Sequence, residues 1–125
     1  MGADVASATT RPGAAHEELL IRFARLMRER YGARVFLFGS RARRTNRPDS
    51  DYDLVAVARA FCKQPVLRRA LDRRQLWLEA GGWRKALDLH CYTPEEFREE
   101  LAGLGYLGQA KARGELIEIK VRRVA

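Results

Sequence analysis

FGSRARRTNRPDSDYDLVAV, residues Phe38–Val57, joins two apolar runs through a glycine-serine pair, four arginines and three aspartates. Arg41, Arg43, Arg44 and Arg47 precede Asp49, Asp51 and Asp53. The runs on either side, RVFLF (34–38) and YDLVAVA (52–58), are short and almost wholly apolar, and both predict buried strands. Gly39-Ser40 at the end of the first run predicts a tight turn opening a short helix. Glycine lets the backbone approach a ligand closely, and the N–H groups of a helix start attract phosphate. Ser40 can cap that helix or meet a phosphate oxygen, with Arg43 and Arg44 in reach of the same anion. On a strand, residues two apart share a face about 6.6 Å from one another, so Asp51 and Asp53 project together and Tyr52 points away. Two such carboxylates resist joint ionisation unless cations neutralise them. All-oxygen donors suit Mg²⁺, as one ion or as two about 3.5–4 Å apart. A bare Asp-x-Asp pair is also what two exposed strand-end carboxylates look like, so the pair needs support from elsewhere in the chain.

That support comes from RKALDLHCY (84–92), a third strand by alternation. Leu87 and Leu89 take one face, and Ala86, Asp88 and His90 the other. An acidic residue within an apolar strand is costly unless something pairs with it. A metal shared with Asp51 and Asp53 on a neighbouring strand would supply the partner, and so would one of the many arginines.

The remaining elements follow from period and punctuation. HEELLIRFARLMRERY (16–31) spaces Leu19, Leu20, Phe23, Leu26 and Met27 as a helix, with Gly32 as its stop. Residues 65–80 form another, with Leu67, Ala70, Leu71, Trp77 and Leu78 expected inward and Arg68, Arg69 and Arg73 facing water or a partner. Gly81-Gly82 ends it. Thr93, Pro94 and Glu96 make a capping box with proline at the first helical position, and the helix they open turns Phe97 and Leu101 inward. A further helix over 106–113 and an edge strand over 115–121 complete the chain. Strands interleaved with helices predict an α/β or α+β fold, a small sheet of about four strands with helices packed on it.

The 125 residues suit one domain, read as 16–125 behind a tail of small residues over 1–15. No apolar run approaches the length of a membrane span, and the N-terminus has no hydrophobic segment of the secretory type, so a cytoplasmic protein is expected. Cys62 and Cys91 form no CxxC pair and are expected as small buried hydrophobes. His90 beside Cys91 cannot converge on one ion, because strand neighbours point to opposite faces. With 24 basic and 16 acidic residues the net charge is +8, which favours polyanionic partners such as nucleotide phosphates or nucleic acid.

Gly39-Ser40, a ten-residue gap, and then Asp51-x-Asp53 closely resemble the signature of the DNA polymerase β-like nucleotidyltransferase superfamily, and most of all its minimal nucleotidyltransferases. Gly39, Ser40, Arg41, Ala42 and Arg43 match that pattern, as do Pro48, Asp49, Ser50, Asp51, Asp53 and Leu54. Arg44 stands where the family usually has glycine, and Asn46 where a small residue is common. The resemblance spans about residues 17–121 and implies the nucleotidyltransferase fold. It implies nucleotide binding by Gly39, Ser40 and Arg43, and two Mg²⁺ ions on Asp51 and Asp53. Asp88 would be the third carboxylate, a further metal ligand that helps to activate an attacking hydroxyl. The implied reaction passes a nucleoside monophosphate, AMP from ATP, to a hydroxyl acceptor. The family's frequent pairing with a HEPN-domain toxin implies an antitoxin that modifies its partner protein. Two other classes compete. One is a non-catalytic module that blocks its partner by contact alone, which would not need a complete Asp51, Asp53 and Asp88 set. The other is an RNA-binding domain using Arg68, Arg69, Arg73 and Arg74, which would want aromatics among the arginines for base stacking.

Overall fold

A computed structural model describes residues 17–121. The expected tail over 1–15, His16 and residues 122–125 lie outside them. Helix α1 (Glu18–Tyr31) leads into strand β1 (Arg34–Phe38) and the short helix α2 (Gly39–Arg43). After the arginine-rich connector come strand β2 (Tyr52–Val57), a 3-10 turn (Arg59–Lys63) and helix α3 (Val66–Ala80). Strand β3 (Leu87–Tyr92), helices α4 (Pro94–Ala102) and α5 (Tyr106–Ala112) and strand β4 (Ile117–Glu118) follow.

The sheet order is β3-β2-β1-β4. β1 pairs antiparallel with β2 and with β4, while β2 and β3 run parallel. The parallel pair follows from its connection, because two parallel neighbours need a crossover and α3 provides it. The mixed sheet with helices agrees with the sequence expectation. The third strand is three residues shorter than read, beginning at Leu87, and Arg84 ahead of it takes φ +65°. The edge strand is only two residues long, although Ile119 N–H still reaches Val35 O at 2.9 Å.

Alternation along the strands divides the core in two. Val35, Leu37, Leu54, Ala56, Leu89 and Cys91 face α1 and α3 in the larger cluster, with Phe23, Met27 and Trp77. Phe36, Val55 and Val57 face the other way, with Phe97 of α4 and Leu107 of α5. This second cluster is small and covers only part of its face. Asp53, Asp88, His90 and Tyr92 follow the same alternation and belong to that face beyond the cluster. An open cleft results.

Helix α3 corrects the sequence reading. Leu67 and Leu71, expected inward, are 89% and 67% exposed, whereas Arg69 and Arg73 are 4% and 3% exposed. Arg69 donates to Gln64 O and Cys91 O, both at 3.1 Å, and pairs with Glu96 Oε1 at 2.6 Å. The Arg73 guanidinium lies over the rings of Tyr31 and Phe61, 3.9 and 4.9 Å from their centroids. Tertiary partners that satisfy a guanidinium let it turn inward, which hydrophobic periodicity does not register. Cys62 is likewise a correction: it is exposed on the 3-10 turn, from which Phe61 takes the inward position, while Cys91 is buried as expected. The capping box forms as read, with Glu96 N–H donating to Thr93 Oγ1 and Thr93 N–H to Glu96 Oε1. Among the described residues no helix is long and apolar enough to cross a membrane.

Candidate active site

β1 ends at Phe38, where the chain turns through Gly39 at φ +76° into α2. Antiparallel pairing sets Phe38 opposite Asp53, and parallel pairing sets Asp53 opposite Asp88. The two aspartates therefore sit side by side on adjacent strands, about 4.8 Å apart at the backbone. A Cβ placed on Gly39 would fall onto the Asp53 carboxylate, with Asp53 Cγ at 2.9 Å. Glycine is required at 39 twice over, by its left-handed φ and by the carboxylate lying against it.

α2 has no side-chain cap, so the Ser40 hydroxyl is not used for capping; the Ser40 carbonyl instead accepts from Thr45 N–H at 2.9 Å. Arg44 closes the helix at φ +63°. Arg41, one turn into the motif, turns inward and is 8% exposed. It donates to Ser50 O at 2.9 Å and to Pro48 O at 3.2 Å, and its guanidinium lies 3.8 Å from the Tyr52 ring centroid. This arginine fastens the connector immediately ahead of the aspartates. Arg43 stays exposed, and its nearest acid is Glu115, 3.9 Å away.

Gly39, Ser40, Arg43, Asp53 and Asp88 line one cavity of about 840 Å³, the size range of small-molecule sites. His90 and Tyr92 continue its wall along β3, and Tyr106, Leu107 and Arg113 close it from the α5 side. Asp51 stands apart from these. It precedes the first residue of β2 and is exposed, though near enough to raise the Asp53 pKa. Five of the six sequence-proposed residues thus share one cavity, while Asp51 does not line it and reaches Asp53 through its charge alone.

Burial, then the charges of Asp88 and Asp51, push the Asp53 carboxyl above its ordinary value, against the opposing pull of His90 and Arg43. Crowded carboxylates of this kind are the donor set that a hard divalent cation neutralises. Among the described residues no three His, Cys, Asp or Glu side chains form a ready-made cage. Mg²⁺ does not demand one, since it usually keeps waters and takes one or two carboxylates together with substrate phosphates. His90 Nε2 lies 3.3 Å from Asp88 Oδ1, and the His90 and Tyr92 ring planes are within 9° of parallel. Sequence reading did not give Tyr92 or Arg113 a place in the site. Tyr92 was within reach of it, being two residues beyond His90 and four beyond Asp88 on one strand face. Arg113 had no signal, because only the packing of α5 brings it to the cleft.

Residues 20–124 match the nucleotidyltransferase domain family. No curated protein matches the chain at a significant level. Among solved structures, the chain is similar to the crystal structure of a candidate nucleotidyltransferase from Sulfolobus solfataricus, with 21% identity and a TM-score of 0.41 over 74% of this chain and 85% of that one.

Proposed function

Because the chain belongs to the nucleotidyltransferase domain family, we propose that its cleft transfers a nucleoside monophosphate, AMP from ATP with Mg²⁺, to a hydroxyl on a partner protein. The observation that carries this reading is the in-register pair Asp53 and Asp88, sharing a cavity with Gly39 and Ser40. Gly39 and Ser40 would receive the nucleotide's phosphates, the glycine by allowing close backbone approach and the serine through its hydroxyl. Arg43, exposed and 3.9 Å from Glu115, would turn its charge toward the same phosphates. Asp53, Asp88 and Asp51 would hold Mg²⁺, which when bound offsets their mutual repulsion and the charge on the phosphate oxygens. Asp88, the more exposed of the cavity pair, would accept the proton of the attacking hydroxyl. The acceptor oxygen bonds to the α-phosphorus as the bond to the β-phosphate oxygen breaks, and pyrophosphate leaves.

A protein acceptor fits the mouth of the cleft. Leu104 and Tyr106, 93% and 86% exposed, stand on the α4–α5 side, offering apolar surface of a kind that a folded partner covers. A HEPN-type toxin is the partner that the family resemblance suggests, with this chain as its antitoxin. The RNA-binding reading loses ground, since Arg69 and Arg73 are inside the fold.

The test is ATP labelled at the α-phosphate, incubated with Mg²⁺, the protein and the product of a neighbouring reading frame. Transfer of label by wild type, and not by Asp53→Asn or Asp88→Asn, is expected. Failure to label any partner that forms a stable complex would overturn enzymatic transfer to it and leave inhibition by contact.

A further inference from the structure

Helix α3 presents two apolar faces, and the fold uses one. Leu76, Trp77 and Ala80 are buried in the larger core. Leu67, Leu71, Arg74 and Leu78 follow one another in steps of four, three and four, the spacing of a coiled-coil seam. At 100° per residue this stripe lies roughly 150° around the helix from the buried face. Leu67 and Leu71 are among the most exposed apolar side chains of the described residues, Val66 beside them is 61% exposed, and Leu78 is half-buried. Lone exposed leucines are ordinary, but leucines repeated in register over three turns, about 16 Å, are not. The surroundings of the stripe are also basic: with Arg69 and Arg73 inside the fold, the exposed Arg59, Lys63, Arg68 and Arg74 remain, against one acidic residue, Asp72, between Arg59 and Leu78.

We propose that this seam docks an amphipathic helix of a different protein, one with its own leucine-type seam and with acidic residues facing Arg74 and the basic flanks. Charge selects this occupant over the others. A second copy of the chain would bring Arg74 and the basic flanks of one seam against those of the other, since the seam carries no acid of its own. The N-terminal residues 1–16 offer only Met1 and Val5 as large aliphatic side chains, too few to cover it. Nucleic acid would meet exposed leucines instead of stacking aromatics. The seam lies on the α1–α3 side of the sheet and the cleft on the other, so this inference does not depend on what the cleft does.

Two fluorescent model peptides test it, each about three heptads long with leucine at every seam position, one flanked by glutamate and the other by lysine. Binding to the full chain would be followed by anisotropy. Saturable binding of the acidic peptide at least about tenfold tighter than the basic one is expected. Leu71→Asp should remove it, and Arg74→Glu should invert the preference. Both positions face solvent, so circular dichroism should show the fold unchanged. Equal binding of both peptides, no saturable binding of either, or a preference that survives Arg74→Glu would overturn the proposal. So would self-association in sedimentation abolished by Leu71→Asp, which identifies a second copy, or salt-sensitive binding of a single-stranded RNA lost in Arg74→Glu.

Discussion

Gly39→Ala tests the claim that the Gly39 turn and the Asp53 carboxylate are shaped around each other. Alanine at φ +76° costs about 1–2 kcal/mol for the left-handed backbone. Loss of glycine's freedom in the unfolded chain offsets about 0.4–1 kcal/mol of that. The new Cβ also meets the Asp53 carboxylate, with Cγ at 2.9 Å and Cβ at 3.1 Å, and crowding of this kind costs about 1–3 kcal/mol. The net expectation is a loss of about 2–3 kcal/mol, a fall in Tm of about 10 °C or more for a domain this size. Asp53→Ala removes the carboxylate while leaving the backbone strain. Gly39→Ala should therefore cost about 1–2 kcal/mol less in that background, a coupling that a double-mutant cycle in urea measures directly. Nucleotidyl transfer by folded Gly39→Ala protein should fall with it, because Asp53 is displaced from its place beside Asp88. Equal costs in the two backgrounds, together with undiminished transfer, would refute the reasoning.

Arg44→Gly relieves the other left-handed position of the motif, φ +63°, and should raise stability by about 0.5–1 kcal/mol after glycine's entropy is counted; a lower urea midpoint would contradict this. Arg41→Ala removes the donors to Ser50 O and Pro48 O and the cation over Tyr52, a loss of about 2–4 kcal/mol. It should also speed tryptic cleavage after Arg43 and Arg44, and unchanged cleavage would show that the arginine does not hold the connector. Since the Asp53 pKa is raised in the folded protein, its ionisation opposes folding. The penalty is absent below the ordinary carboxylate range and appears as pH rises through the folded-state value. Asp53→Asn should accordingly raise Tm at neutral pH without Mg²⁺, lose that gain in acid, and gain less when Mg²⁺ is present; a gain independent of pH would sink the electrostatic account. Arg69, 4% exposed, holds Glu96, whose side chain is 38% exposed, and Arg69→Ala should cost about 1–3 kcal/mol, mainly because Cys91 O and Gln64 O lose their donor. Glu96 is held below its ordinary value first by that bond, so its contribution is complete above the ordinary carboxylate range and lost as pH falls through the lowered value. Arg69→Ala should flatten this part of the acid limb in thermal melts.

Local rules carried much of the site. Gly39 announced a turn, and strand period placed Asp88 and His90 on one face and Leu89 on the other. Thr93, Pro94 and Glu96 announced the helix they start. Each of these depends on neighbours within a few residues, which is the range over which backbone geometry and capping act. Pairing between strands is another matter. Alternation requires that Asp53 and Asp88 each lie on some face, but only the parallel register of β2 with β3 sets them side by side. The same holds for Arg69 and Arg73, polar by type and buried because Glu96, Cys91 O and two aromatic rings wait for them at long sequence separation. Leu67 and Leu71, apolar by type, stayed outside because those arginines took the inward positions. Sequence determined the elements and the chemistry each could offer; tertiary structure decided which groups met, since burial and charge are settled by neighbours that the chain brings from afar.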